Sequence, residues 1–387
     1  MNHSKRICLN MIVKNETPVL DRLFASVKDI ISYYVIVDTG STDGTPQFIK
    51  EWMAKAGIPG EVHCHQWVSF GHNRNQALDY AYQADQADWI LLIDADEELI
   101  YSDPLFYNKL ELGVSYSLEK HLNELHYRLL NLINIRGTRW RWQGVVHEYL
   151  EFVEGTDKRA DLSDAWINCY MGEGARSKGI SAKQKYLADA TLLEAELKKH
   201  PNDARSRFYL AQSYSDAEEY KHAYKNYLLR ATMQGWQEEN FVAQYRAGKM
   251  AIALNKPYHE IAGLFLKAYE MRPARGAEPL YQMAVYCRNK NWHAQAYLFA
   301  KAGSQVPYPT DILFVEKDIY EWRMLDELAI AAYWTGHYQE SKNLCEKLLA
   351  MALSPVDMER IEKNRQFALQ KLAENSTILE GLIKASS

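Results

Sequence analysis

The sequence predicts an α/β domain over residues 1–178, built on a mostly parallel sheet, followed by an all-α helical repeat domain over residues 179–387. Three observations predict it. Before about residue 175, apolar runs of strand length alternate with helix-like segments, the pattern of a parallel sheet covered on both faces. Three of those runs end in polar clusters, "KNE", "DTGSTDGT" and "DADEE". In such sheets ligands bind at the carboxyl ends of the strands. From about Ala182 onward the chain reads as helix, with small residues recurring at matched positions.

The elements follow in order. "RICLNMIV" is a strand, and "TPVLDRLFASVKDI" a helix with Pro18 in its first turn, where the missing N–H is harmless. "YYVIVDT" is a strand, and the helix "TPQFIKEWMAKAG" ends on a glycine suited to its C-terminal cap. "EVHCHQ" is a weaker strand, "GHNRNQALDYAYQ" opens a helix, and "WILLI" is a buried strand. After Glu124, "LHYRLLNLINIRG" and "TRWRWQGVVHEYLEF" alternate as antiparallel strands added to the sheet. Beyond Ala182 three segments resemble one another, beginning at Arg205, Glu278 and Leu325. Each has a small residue in its first helix (Ala211, Ala284, Ala329), a polar turn, and another in its second (Ala223, Ala296, Ser341). That is the signature of tetratricopeptide-like units of roughly 34 residues, which stack to bury a shared core.

Composition narrows the function classes. A net charge of −5 excludes general nucleic-acid binding. Five scattered cysteines with no CxxC pair read as reduced thiols in a cytoplasmic protein, neither a disulfide frame nor a zinc site. The N-terminal apolar run meets Lys14 and Glu16 too soon for a signal peptide, and no stretch is long enough to span a membrane. Tyrosine and tryptophan are abundant, at 26 and 10.

The stretch "DWILLIDADEEL" ends a buried strand in four carboxylates, Asp94, Asp96, Glu97 and Glu98. Such crowding is tolerable in full solvent or around a positive charge. Asp94-x-Asp96 suits a hard divalent cation, Mn²⁺ or Mg²⁺, which takes one or two carboxylates and the phosphates of its substrate. A solvated acidic loop is the other reading of the pattern; its place beside two further polar strand ends favours the cation. Asp38 ends its strand facing the crevice, where a carboxylate can accept a nucleobase N–H. Asp43 is equally the natural N-cap of the next helix. Arg74 is expected in the first turn of a helix, where a cation opposes the macrodipole, so it is expected to face an anion such as a diphosphate. A surface ion pair is its other reading.

"CLNMIVKNE", "VIVDTGSTDGT", "GHNRNQAL" and "DWILLIDADEEL", in this order and spacing, resemble a family 2 glycosyltransferase of the GT-A fold, which has a Rossmann-like nucleotide-binding sheet. With "GVVHEYL", "GARSK", "FYLAQSYSDA", "GWQEE" and "RGAEPLY", the whole chain resembles the subgroup in which a short GT-A domain precedes tetratricopeptide repeats. That subgroup includes the peptide S-glycosyltransferases of glycosylated bacteriocins. The resemblance implies an inverting, metal-dependent transfer from a nucleotide diphosphate sugar, UDP-linked, to a peptide, protein or glycan. It implies that Lys14, Asn15 and Glu16 lie beside the nucleobase, Asp38 recognises the base, and Arg74 lies near base and phosphate. Asp94 falls near ribose and metal, Asp96 is the direct metal ligand, and His147 a further one. A hydrogen-bonded sheet histidine is the alternative for His147. Arg176 and Lys178 would close on the diphosphate, or belong to a solvated linker. The family's usual "ED" base has no counterpart here; Glu148 is the candidate base, with Glu97 and Glu98 behind it.

Two other classes stay open: a repeat scaffold with a silent GT-A domain, and a sugar nucleotidyltransferase. The glycine-free "MIVKNE" loop disfavours the second. The repeats are expected to hold the acceptor on an aromatic face (Tyr209, Tyr214, Trp236, Tyr245, Tyr281, Trp334), and they also offer a surface for a homodimer.

Overall fold

The computed structural model describes residues 6–122, 125–170, 172–174 and 181–386, in two compact units, Met1–Glu218 and Glu219–Ser387. The expected boundary at 178/179 lies within 175–180, outside the described residues. In the first unit, β1 (Ile7–Val13), β2 (Tyr33–Asp38), β3 (Gly60–Cys64) and β4 (Trp89–Leu92) run parallel in the order β3-β2-β1-β4. The connecting helices are α1 (Thr17–Val27), α2 (Thr45–Ala56) and α3 (Phe70–Ala84). Strand β1 shows why its run is continuous. Ile7, Leu9, Met11 and Val13 pack with α1 and α2 on one face, and Cys8 packs with Leu78 and Ala81 of α3 on the other. A strand covered on both faces has no solvent side to mark. Asn10 is the exception: its buried amide donates to Val35 O at 3.2 Å and to Ala77 O at 2.8 Å, tying α3 to the sheet.

The sheet extends further than expected. Strands β5 (Glu97–Tyr101), β6 (Val114–Leu122), β7 (Leu125–Asn134) and β10 (Lys158–Cys169) continue it in the order β4-β7-β6-β10-β5. Strand β7 is antiparallel to both neighbours, β10 is parallel to β6, and β5 is antiparallel to β10. The architecture is a GT-A type α/β domain followed by helices, as the resemblance implied. One expectation is corrected: "TRWRWQGVVHEYLEF" does not join the sheet. It folds into β8 (Thr138–Gln143) and β9 (Tyr149–Gly155), a separate two-stranded ribbon. Fully buried Trp140 shares a core with Leu78 and Ala81 of α3, so a helix satisfies the alternation that a sheet was expected to. Helices α4 (Ala182–Lys199) and α5 (Ala204–Asp216) complete this unit.

The second unit holds α6 (Tyr220–Thr232), α7 (Gln237–Ala253), α8 (Tyr258–Met271), α9 (Ala277–Asn289), α10 (His293–Gly303), α11 (Met324–Trp334), α12 (Tyr338–Leu349) and α13 (Pro355–Ser386). The expected small residues, Ala211, Ala223, Ala284, Ala296, Ala329 and Ser341, are all buried. The pair α7–α8 repeats the same plan unannounced. Residues with positive φ (Glu218, Asn255, Asn291, Gly336) each follow a small residue by seven positions, and Gly248 is the one that leads to Asn255. A Cβ on Gly248 would lie 2.7 Å from the Phe265 ring of α8. The aromatic face is corrected in part: Tyr209, Tyr245 and Tyr281 are buried, whereas Trp236 and Trp334 are exposed. Among the described residues no helix is long and apolar enough to cross a membrane.

Candidate active site

Two loops at the carboxyl ends of β1 and β2 are laced together. Asn15 has positive φ, its N–H donates to Ser41 Oγ at 2.8 Å, and its Oδ1 accepts Thr42 N–H at 2.7 Å. The Glu16 N–H donates to Thr45 Oγ1 at 3.0 Å, while Lys14 points into solvent. Asp38 is 3% exposed and turns onto its own loop. Its Oδ1 accepts Gly40 and Ser41 N–H at 3.1 and 3.0 Å, and its Oδ2 accepts the Ser41 hydroxyl. The N-cap of α2 is Gly44, in the left-handed region, and not Asp43. Asp43 reaches one residue further, accepting Thr45 N–H at 3.0 Å and Thr45 Oγ1–H at 2.6 Å. Burial would raise its pKa, but the hydrogen bonds from Thr45 and Thr17 outweigh it and hold the carboxyl below its usual range.

The four carboxylates after β4 have separate fates. Glu97 begins β5 and pairs with Lys120 of β6 at 2.6 Å, both side chains 8% exposed. It also accepts the Asp94 N–H at 3.0 Å and the Cys169 thiol at 3.2 Å, so the runner-up base is a structural anchor. Glu98, the other runner-up, accepts the Tyr170 hydroxyl at 2.5 Å. Arg74 lies beyond the first turn of α3 and meets its anions within the chain: Asp94 Oδ1 and Glu148 Oε1, each at 2.6 Å. Burial would raise the Asp94 pKa, yet the charges of Arg74 and Lys120 keep it below its ordinary value.

Asp96 differs from the rest. Among the described residues its carboxylate makes no ion pair, and the hydrogen bond it accepts comes from its own backbone N–H. Burial and the charges of Asp94 and Glu97 push its pKa up. A hard divalent cation fits this environment, with Asp96 and the free oxygen of Asp94 as hard donors. The buried Gly174 keeps the place open, since a Cβ there would lie 2.9 Å from Asp96 Oδ2.

Glu148 reaches Arg74 because α3 holds the β8–β9 ribbon. The amide of Asn75 exchanges two bonds with Trp142, Nδ2 to Trp142 O at 2.9 Å and Trp142 N to Oδ1 at 2.8 Å. Gly71 lets the chain at Gly144 come close, for a Cβ would lie 2.4 Å from Gly144 O. The Trp142 ring lies under the Arg74 guanidinium, 5.1 Å from its centroid. His147 is in the ribbon's loop rather than in a strand. Its ring stacks on Tyr209 of α5 at 4.1 Å, and among the described residues no three His, Cys, Asp or Glu side chains are grouped to hold a metal. Arg176 and Lys178 lie outside the described residues. Lys120, Asn75 and Gly71 are site residues that no sequence motif marks on its own. Strand alternation carried a signal for Lys120: Tyr116, Leu118 and Lys120 share the buried face of β6.

Residues 8–103 match the family model described as Glycosyl transferase family 2. Over 95 residues the chain is 42% identical to a TPR repeat-containing protein of Synechococcus elongatus, covering 24% of this chain and 21% of that one. Over 135 residues it is 30% identical to an uncharacterized glycosyltransferase of Rickettsia prowazekii, covering 34% and 40%. Over 155 residues it is 27% identical to the SPbeta prophage-derived glycosyltransferase SunS of Bacillus subtilis, covering 37% and 34%. The chain thus spans less than half the length of these relatives. The matched segment takes in both laced loops, Arg74 and the Asp94–Glu98 cluster, and residues 8–103 are a domain of glycosyltransferase family 2.

Proposed function

We propose that the chain is an inverting, metal-dependent glycosyltransferase that moves a sugar from a UDP-linked donor to a peptide or protein acceptor. The observation that carries this reading is the constellation at the strand ends: Arg74 between Asp94 and Glu148, beside the charge-crowded Asp96. Asp96 and Asp94 would hold Mn²⁺ or Mg²⁺, which when bound supplies positive charge to the leaving diphosphate. Arg74, 12% exposed, adds a fixed cation whose position needs no reorganisation as negative charge develops. Glu148 keeps its second oxygen for the acceptor proton, which passes to that oxygen as the acceptor atom attacks the anomeric carbon and the sugar–phosphate bond breaks. The laced loops around Asn15, Glu16 and Asp38 form a seat for a nucleobase, with the exposed Lys14 beside it.

Donor hydrolysis and thermal shift test this. UDP with Mn²⁺ should raise the melting temperature more than GDP or ADP with Mn²⁺, and UDP alone should do little. Asp96→Asn and Arg74→Ala should each lower donor turnover by about 10²–10³-fold, the loss seen when a charge-stabilising group is removed. Full turnover in excess EDTA would defeat the metal assignment, and a larger shift with a purine nucleotide would defeat the base assignment.

A further inference from the structure

Between α10 and α11, residues 304–316 form neither helix nor strand. Segments of this length without structure are uncommon in compact domains and are usually either functional or linkers. This one is bound by its own repeats, and mostly through its main chain. Glu238 of α7 accepts Ile312 and Leu313 N–H at 2.9 and 2.8 Å. Arg275 donates to Leu313 O at 2.7 Å and Phe314 O at 3.2 Å, and Glu278 of α9 accepts Glu316 N–H at 3.0 Å. The two ends are acidic: Arg272 grips Asp311 with two bonds, and Tyr245 donates to Glu316 at 2.9 Å.

Three features argue against a merely structural strap. Phe314 has φ 48°, a strained conformation for an aromatic residue, and it is held by Arg246 lying 4.8 Å from its ring centroid. Ile312 is left 65% exposed beside the buried Leu313, so the segment turns one large apolar side chain to solvent. Beneath it Arg275 and Glu278, both 0% exposed, form a doubly bonded pair. Such a pair adds little stability over an apolar floor, but unlike one it tolerates both a covered and a wet state.

We propose that the groove over α7 and α9 is a polypeptide-binding site, and that Asp311–Glu316 is a built-in occupant which a partner segment of the same chemistry displaces: an acid, a Leu-Phe pair, and a second acid. Side chains that read N–H and C=O groups accept any chain presenting them, and the flanking cations and Tyr245 select the acids. The site belongs to the second unit alone and does not depend on the transfer reaction.

The probe is a fluorescently labelled, end-blocked hexapeptide, Asp-Ile-Leu-Phe-Val-Glu, titrated into the full chain. The tethered segment competes at an effective concentration of about millimolar, so the wild type should bind the probe weakly. Asp311→Asn with Phe314→Ala weakens the tether without touching the groove and should tighten probe binding at least tenfold. A probe with both acids replaced by amides should lose that gain. Equal affinity for the two proteins, or no binding by a variant of wild-type helicity, overturns the proposal. If the variant fails to fold, hydrogen exchange of the wild type decides. Amides of 312–316 exchanging at least tenfold faster than those of α7 and α9 support displacement, and equal protection overturns it.

Discussion

Lys120 resolves the puzzle of the clustered carboxylates by supplying a desolvated counter-charge from β6, the next strand in the chain. Burial alone would pull its pKa down, but Glu97 and Asp94 outweigh burial and leave it raised, so the ammonium stays charged. Lys120→Met should destabilise the fold by about 3–5 kcal/mol in urea unfolding, because Glu97 is then buried without a partner. Adding Glu97→Gln should recover most of that loss; failure to recover would mean that Lys120 acts through packing alone. Asp96 behaves in the opposite sense. Its carboxyl stands above the unfolded value, so its favourable contribution is present below the ordinary carboxylate range and is lost as pH rises through the raised pKa. Asp96→Asn should therefore raise the melting temperature of the metal-free protein by about 1–2 °C at neutral pH. The gain should vanish in acid, and the variant should lose any Mn²⁺-induced shift. Asp94 and Asp96 were legible because a buried run ends on them, whereas Lys120 was hidden as one charge among polar neighbours in "SLEKHL".

At the scale of elements, "GHNRNQAL" is a fastening as much as a binding motif. Asn75 substitutes an amide for a neighbouring strand, and Gly71 removes the Cβ that would push the ribbon away. Asn75→Ala should cost about 1–3 kcal/mol, since the Trp142 N–H loses its partner in a half-buried place. The same change should speed hydrogen exchange at Trp142 and lower donor turnover through Glu148; unaltered exchange would show that the ribbon is held elsewhere. Gly71→Ala should destabilise by a similar amount through overpacking. This arrangement is not legible in the sequence, for a physical reason. Alternation with period two reports that one face is buried, not what covers it, so the ribbon and a further sheet strand look alike. The hairpin pair α7–α8 was missed because Gly248 stands where its counterparts have alanine and its turn, with Pro257, is a residue longer.

Across the whole molecule, the two units close their contacts over very different spans of chain. Each helix of the second unit packs mainly on its neighbours in sequence, while the sheet joins β1 to β4, β4 to β7, and β5 to β10. That difference has a consequence in time. At a synthesis rate of about 5–20 residues per second, β5 waits several seconds for its partner, because Ala165–Cys169 must first emerge from the ribosome. Throughout that interval the edge carrying Glu97 and Glu98 has no neighbour, and the crowded acids help to keep it from pairing with other chains. On refolding from denaturant the order should reverse along the chain, with helices made of local contacts forming before the non-local sheet. Pulse-labelling hydrogen exchange should find amides of α7–α12 protected ahead of those in β5 and β10. The last strand to be made in the sheet would then be the event that assembles the acidic cluster.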